Sequence, residues 1–396
     1  MKRSLGGRNG QPHGTPEARA VPPRPARPRW RRMAMLSALA LTSATLVSGT
    51  AAGAGAQSHR TLTPLASPAA TAYVYANQPT KRSYTPEADY RFNSSGQSIR
   101  ITRPGAGQYK IEFFGLGPEA NQGTVDVTAE GEENPAICSV VSWSASGSNL
   151  DVFVDCYRVT GQRLNTFFMA AFTSGGATTG TVDYVWADND LARSYTPTAA
   201  YQFNSSGGTN TITHTTKGEY TVKLPGPDVT DGTVKVTAFG GNTDSCQVVE
   251  WLDVSSGQDV YVDCFNTAGS LVNHQFTMTF AASDDLLGDG GANGYAWGND
   301  PTSSSYTPDS AYQYDWVGTT ATVTSFGTGE YILSFPSASL GDTGDEQATA
   351  YGSSDAHCIV DGPAGVSGGS QGADVFCFDN SGNPVDAYYT VQWMVN

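Results

Sequence analysis

The chain has 396 residues, of which 45 are Gly, 15% are charged, 39% are hydrophobic and 11% are aromatic. That is too apolar for an intrinsically disordered chain, and too rich in Gly, Ser and Thr for a helical bundle or coiled coil. A net charge of −15 argues against a nucleic-acid or anionic-membrane partner, because phosphate contacts need Lys and Arg.

The N-terminal region stands apart by charge. Residues 1–56 hold nine of the 22 basic residues and a single acidic one, Glu17. From residue 57 onward 13 basic residues face 36 acidic ones, and none of the basic ones follows Lys235. Arg24, Arg27, Arg29, Arg31 and Arg32 precede an apolar run from Met33 to Val47, and Ala54-Gly55-Ala56 follows it. A basic stretch, an apolar core and an A-x-A end form an export signal, expected to be cleaved after Ala56. The apolar core is shorter than the roughly 20 residues of a membrane span, although an uncleaved anchor is the competing reading. Residues 57–71 read as a linker. The mature chain is expected to be secreted, extracellular and without stable membrane insertion.

The rest is one unit written three times, over 72–180, 183–288 and 294–396. Ser83-Tyr84-Thr85-Pro86 recurs as Ser194-Tyr195-Thr196-Pro197 and Ser305-Tyr306-Thr307-Pro308. Gly107-Gln108-Tyr109 recurs as Gly218-Glu219-Tyr220 and Gly329-Glu330-Tyr331. Units of this length are whole domains, each with its own core. Inside each, apolar residues alternate with polar ones, the period of strands. Tyr109, Ile111 and Phe113 form one such series, and Val125, Val127 and Ala129 another. Seven or eight strands per copy are expected, without helices. The fold class is therefore all-β, as three tandem antiparallel β-sandwiches of Ig-like layout. A small closed barrel is the rival.

Six cysteines fall two to a copy, as Cys138 and Cys156, Cys246 and Cys264, Cys358 and Cys377. Each pair brackets a turn-rich stretch symmetrically, such as Ser144-Ala145-Ser146-Gly147-Ser148-Asn149. Facing residues of a hairpin come close enough to bridge. One disulfide inside each copy is expected, and export supplies the oxidising compartment. There is no C-x-x-C and no repeated His beside the pairs, so the cysteines do not read as metal ligands.

No nucleophile, base and orienter repeat together. His214, His274 and His357 occupy non-equivalent points of the copies. Asp155 and Asp263 are equivalent, but Phe376 takes that place in the third copy. By strand parity these carboxylates oppose the cysteines and are expected on a solvated face. No catalytic residue and no cofactor is assigned. The turns after the first strands are rich in Asx and offer weak calcium candidates in Asp188, Asp190 and Asp300. The same residues favour turns through local backbone bonds. Trp143, Trp251 and Trp316 are the candidate ligand-binding residues, since exposed aromatic faces stack on sugars. Core burial is their other expected fate.

Tyr-x-Trp/Tyr, Ser-Tyr-Thr-Pro, Gly-x-Tyr, Val-Thr-Ala and the paired cysteines together resemble uncharacterised secreted tandem β-repeat proteins of actinobacteria. The resemblance covers 72–396 and implies no activity or site residue. The third copy departs from it, with Ala348-Thr349-Ala350 for Val-Thr-Ala and Pro363 in place of the Trp after the first Cys. The expected role is a non-catalytic extracellular or envelope interaction or structural module, whose partner is an unknown extracellular protein or polysaccharide. The alternatives are a carbohydrate-binding protein using its tryptophans, and a hydrolase with its site in one copy.

Overall fold

A computed structural model describes residues 70–131, 135–176, 180–226, 232–288, 290–336, 343–362, 365–366 and 370–396. The expected export signal, the linker up to residue 69, and Pro363 lie outside the described residues. Among the described residues no helix is long and apolar enough to cross a membrane.

The first copy is built from β1 (Ala70–Tyr75), β2 (Ser83–Tyr84), β3 (Arg91–Asn93), β4 (Ile99–Gly105), β5 (Gln108–Phe113), β6 (Thr124–Glu130), β7 (Ala136–Ser146), β8 (Asn149–Arg158) and β9 (Phe167–Ser174). Strands β3-β1-β9-β6 form one antiparallel layer and β2-β4-β5-β8-β7 the other. The two layers of a copy belong to different hydrogen-bonded sheets, which makes each copy an open sandwich and not a closed barrel. The second copy repeats the nine strands, and the third adds a short one at Gly365–Val366. Alternation undercounted them because β2, β3 and their counterparts are only two or three residues long.

The recurring motifs are the joints of this sandwich. Gly107, Gly218 and Gly329 take positive φ in the turn that opens β5 and its counterparts. A Cβ on Gly107 would lie 2.5 Å from the carbonyl oxygen of Cys156, so only Gly fits there. The carbonyl of Gly107 accepts from the Cys156 amide at 2.8 Å, as Gly218 does from Cys264 and Gly329 from Cys377. Two residues on, the buried Tyr109 hydroxyl donates to Pro79 O at 3.1 Å and accepts from Thr166 N at 3.2 Å. In the Ser-Tyr-Thr-Pro motif, Tyr84 accepts from Gln78 N and Tyr195 from Asn189 N, tying that strand to the Asx-rich turn.

The disulfides Cys138–Cys156, Cys246–Cys264 and Cys358–Cys377 are all formed. Each joins directly opposed residues of a hairpin, with Cα atoms 4.0–4.1 Å apart. Closing loops of this length stabilises by about 3 kcal/mol in the chain-entropy picture.

The copies do not hang as beads. Strand β7 of the first copy pairs in parallel with Thr233–Phe239 of the second, at Val140 and Phe239. Ser245–Val254 of the second pairs with Asp345–Tyr351 of the third, at Val248 and Tyr351. His357–Val360 of the third pairs with β6 of the first, at Val360 and Glu130. Each edge strand is thus continued by the next copy, and the third returns to the first. The result is a closed ring with pseudo-threefold symmetry.

Candidate functional site

The chemistry of the ring is concentrated on its axis. Along β6, Val125, Val127 and Ala129 enter the core of their own sandwich. Thr124, Asp126, Thr128 and Glu130 point the other way and are nevertheless 1–5% exposed. The same alternation holds in the second copy for Lys235 and Thr237, and in the third for Gln347 and Thr349, all buried. The axis is therefore a buried polar interior, and every donor and acceptor in it needs a partner.

Three threonines supply those partners in rotation. Thr237 Oγ1 accepts from Val127 N at 3.0 Å and donates to Val127 O at 3.3 Å. Thr349 Oγ1 does the same for Val236 N and O, at 3.2 and 3.3 Å. Thr128 Oγ1 accepts from Ala348 N at 3.1 Å and shares its proton between Ala348 O at 3.4 Å and Gln347 Oε1 at 2.8 Å. Each hydroxyl caps the free backbone edge of the neighbouring copy. An uncapped edge strand would be a template for aggregation. A second tier repeats the device. Thr277 donates to Val125 O at 2.8 Å and Thr390 to Val234 O at 2.7 Å, while Met169 Sδ takes the third place, 2.9 Å from Glu346 N.

One layer of the axis departs from symmetry. Asp126, Lys235 and Gln347 occupy equivalent positions. Lys235 is 4% exposed and donates from Nζ to Ala348 O. Burial pulls its ammonium down, opposed by the attraction of Asp126 and Asp345. Burial pushes Asp126 and Asp345 up, with Thr279 bonded to Asp126 at 2.8 Å and Gln347 to Asp345 at 2.6 Å. A neighbouring axial cavity of about 60 Å³ is lined by the three threonines, Lys235 and His357. That is room for a few waters. His357 is 7% exposed, neither ring nitrogen has a hydrogen-bond partner among the described residues, and burial pulls it down to about 4 against the field of Asp379.

The seams between copies hold the aromatics. Trp143 of the first copy packs on Trp186, Tyr201 and Phe239 of the second, with centroids 5.5–5.7 Å apart. Trp251 of the second packs on Trp297, Tyr312 and Tyr351 of the third. At 7% and 5% exposure neither indole has a face free to stack on a sugar, which corrects their candidacy as ligand-binding residues. Trp316 differs. It lies in the turn after Gln313–Asp315, 46% exposed, beside Val317 at 43%. In the seam from the third copy to the first, Tyr75 stands where Trp186 and Trp297 stand, and Glu130 where Phe239 and Tyr351 stand. Glu130 is 5% exposed near Tyr75 and Asp361. Burial pushes it up to about 8; the Tyr75 hydroxyl pulls the other way and Asp361 adds to the rise.

The remaining candidates are distributed. Asp188 and Asp190 sit in the turn after Thr181–Ala187, and Asp300 in the turn after Ala292–Gly298 of another copy. Burial pushes Asp188 up, Asp190 O accepts from Tyr220, and Asp300 accepts from Ser303 at 2.6 Å. These turns brace the Ser-Tyr-Thr-Pro tyrosines. Among the described residues no three His, Cys, Asp or Glu side chains gather as a metal site. Asp155 is not solvated as strand parity implied. It is 7% exposed, accepting from Tyr157 at 3.1 Å and pairing with Arg163 at 2.8 Å, where Tyr157 also reaches Gly241 of the next copy.

The axial threonines and Lys235 were missed because a polar residue alternating with Val reads as surface. The available signal was that Thr128, Thr237 and Thr349 recur in all three copies. Comparison with family models, curated proteins and solved structures returned no match.

Proposed function

We propose that the chain is a non-catalytic extracellular module that presents three similar outer faces on one rigid ring, to bind or brace components outside the cell. The threonine rotation carries this reading. Its hydroxyls are spent on the backbone of adjoining copies, so the threonine that recurs in all three copies serves assembly. Three disulfides and an acidic surface suit an oxidising extracellular space. Rigid trivalency would convert weak single contacts into avidity towards a repeating target.

The test is to fractionate the producing culture, identify the exported chain by its N-terminus, and measure retention of the full protein on envelope and matrix preparations. Retention without turnover of polymer substrates supports the module. Turnover overturns it. Exposure of Trp316 favours a second reading, in which this single ring contacts a polysaccharide. Unchanged retention of Trp316→Ala on chitin, cellulose or peptidoglycan would remove it.

A further inference from the structure

The pseudo-symmetry acts as an internal control, and one position breaks it with a chemical consequence. Arg91, Gln202 and Gln313 are equivalent residues of the third strand. Gln202 closes its locality with two bonds, donating to Pro197 O at 2.7 Å and accepting from Asn210 N at 2.9 Å. Gln313 repeats them with Pro308 O at 2.7 Å and Ala321 N at 2.8 Å. This staple ties the turn before the strand to the start of the next one. Arginine has no acceptor and cannot form it. Arg91 instead turns outward and donates to Ser98 Oγ at 3.2 Å. Beside it lies a groove of about 320 Å³, bordered by Arg91, Gln97, Ser98, Ala88 and Phe92. That volume is the lower end of small-ligand sites.

The charge of this groove is uncompensated. Arg100, Lys110, Arg163 and Lys223 pair with carboxylates. Among the described residues Arg91 has no ion-pair partner. The first copy also holds eight of the 13 basic residues beyond residue 56, the second four and the third none. An anion approaching this acidic protein is therefore repelled least at the first copy. Gln97 and Ser98 are exposed and offer an amide and a hydroxyl beside the guanidinium. A planar carboxylate matches the guanidinium fork, and hydroxyl groups match the neutral donors and acceptors around it.

We propose that the groove at Arg91 binds a carboxylated sugar, one uronate unit of an acidic polysaccharide. The Arg91, Gln97 and Ser98 side chains make none of the axial or seam hydrogen bonds described above, so failure of this site would leave the ring-module reading standing. The test is titration calorimetry of the full protein with digalacturonate, with the neutral galactose disaccharide as control. Arg91→Gln rebuilds the staple of the other two copies, so its Tm is expected to equal or exceed that of the wild type. The expected result is binding of digalacturonate by the wild type, at least about tenfold weaker in Arg91→Gln, and no matching affinity for the neutral disaccharide. Undiminished binding in folded Arg91→Gln, equal affinity for the neutral sugar, or no wild-type binding of digalacturonate each overturns the proposal.

Discussion

The hydroxyl of Tyr73 accepts a hydrogen bond from the backbone amide of Asn396 at 3.3 Å, across 323 positions of sequence. Tyr184 accepts in the same way from Gly175 N, and Tyr295 from Ser283 N, both at 3.1 Å. In each case a tyrosine on the first strand of one copy receives the end of the copy before it. For Tyr73 the copy before is the last one. Tyr73→Phe is therefore expected to cost about 1 kcal/mol, the usual worth of one such bond. Equilibrium denaturation should show Tyr184→Phe and Tyr295→Phe losing similar amounts.

Removing an axial hydroxyl should cost more. Thr237→Val keeps the shape of the side chain but leaves Val127 N and O without their partner. Two buried backbone groups would then be unpaired, for a loss of about 2–3 kcal/mol. Thr237→Ser retains the hydroxyl and is expected to recover most of it. A loss in Thr237→Val within experimental error of zero would mean that the threonine does not cap the edge.

Trp143 stabilises by packing across a seam. Its truncation to Ala is expected to cost about 3–5 kcal/mol, in the range of large-to-small changes of buried aromatics. A double-mutant cycle with Trp186 should return a coupling of about 0.5–1.5 kcal/mol. Independent sandwiches would give none, since the two rings belong to different copies.

Glu130 gives the seam between last and first copies a pH dependence. Its carboxyl is held near 8 in the fold against an ordinary value of 4.5. Below the ordinary value both states are protonated and its contribution is fully present. As pH rises towards and through 8 the unfolded chain ionises first, and that stability is lost. Asp126 and Asp345, also pushed up, act in the same direction, whereas Lys235, pulled down, acts in the opposite one. Subtracting the Glu130→Gln variant isolates the effect. Measured by melting at a series of pH values, the variant is expected to gain on the wild type between about pH 4.5 and 8. Parallel curves would count against it.

Much of the construction is legible in the sequence. The spacing of Cys138 and Cys156 about a turn predicts a hairpin bridge because facing strand residues lie at bonding distance. The recurrence of Gly107-Gln108-Tyr109 marks a joint, and the turn does require Gly. What alternation does not encode is the environment of the outward face. Thr128 and Asp155 both sit where an isolated sandwich meets water, and both are covered by a neighbouring copy. Trp143 and Trp251 show the same gap. Core burial is one expected fate for them, but not burial by a surface that belongs to the next copy. Glu130 likewise ends a strand at an outward position and yet closes the last seam.

Because the C-terminal copy docks on the N-terminal one as any copy docks on its successor, where the chain begins is topologically arbitrary. A permuted gene that starts with the second sandwich and joins residue 396 to residue 70 through a peptide like 175–180 should yield the same annulus. Order along the ribosome would change, while the neighbours around the axis would not.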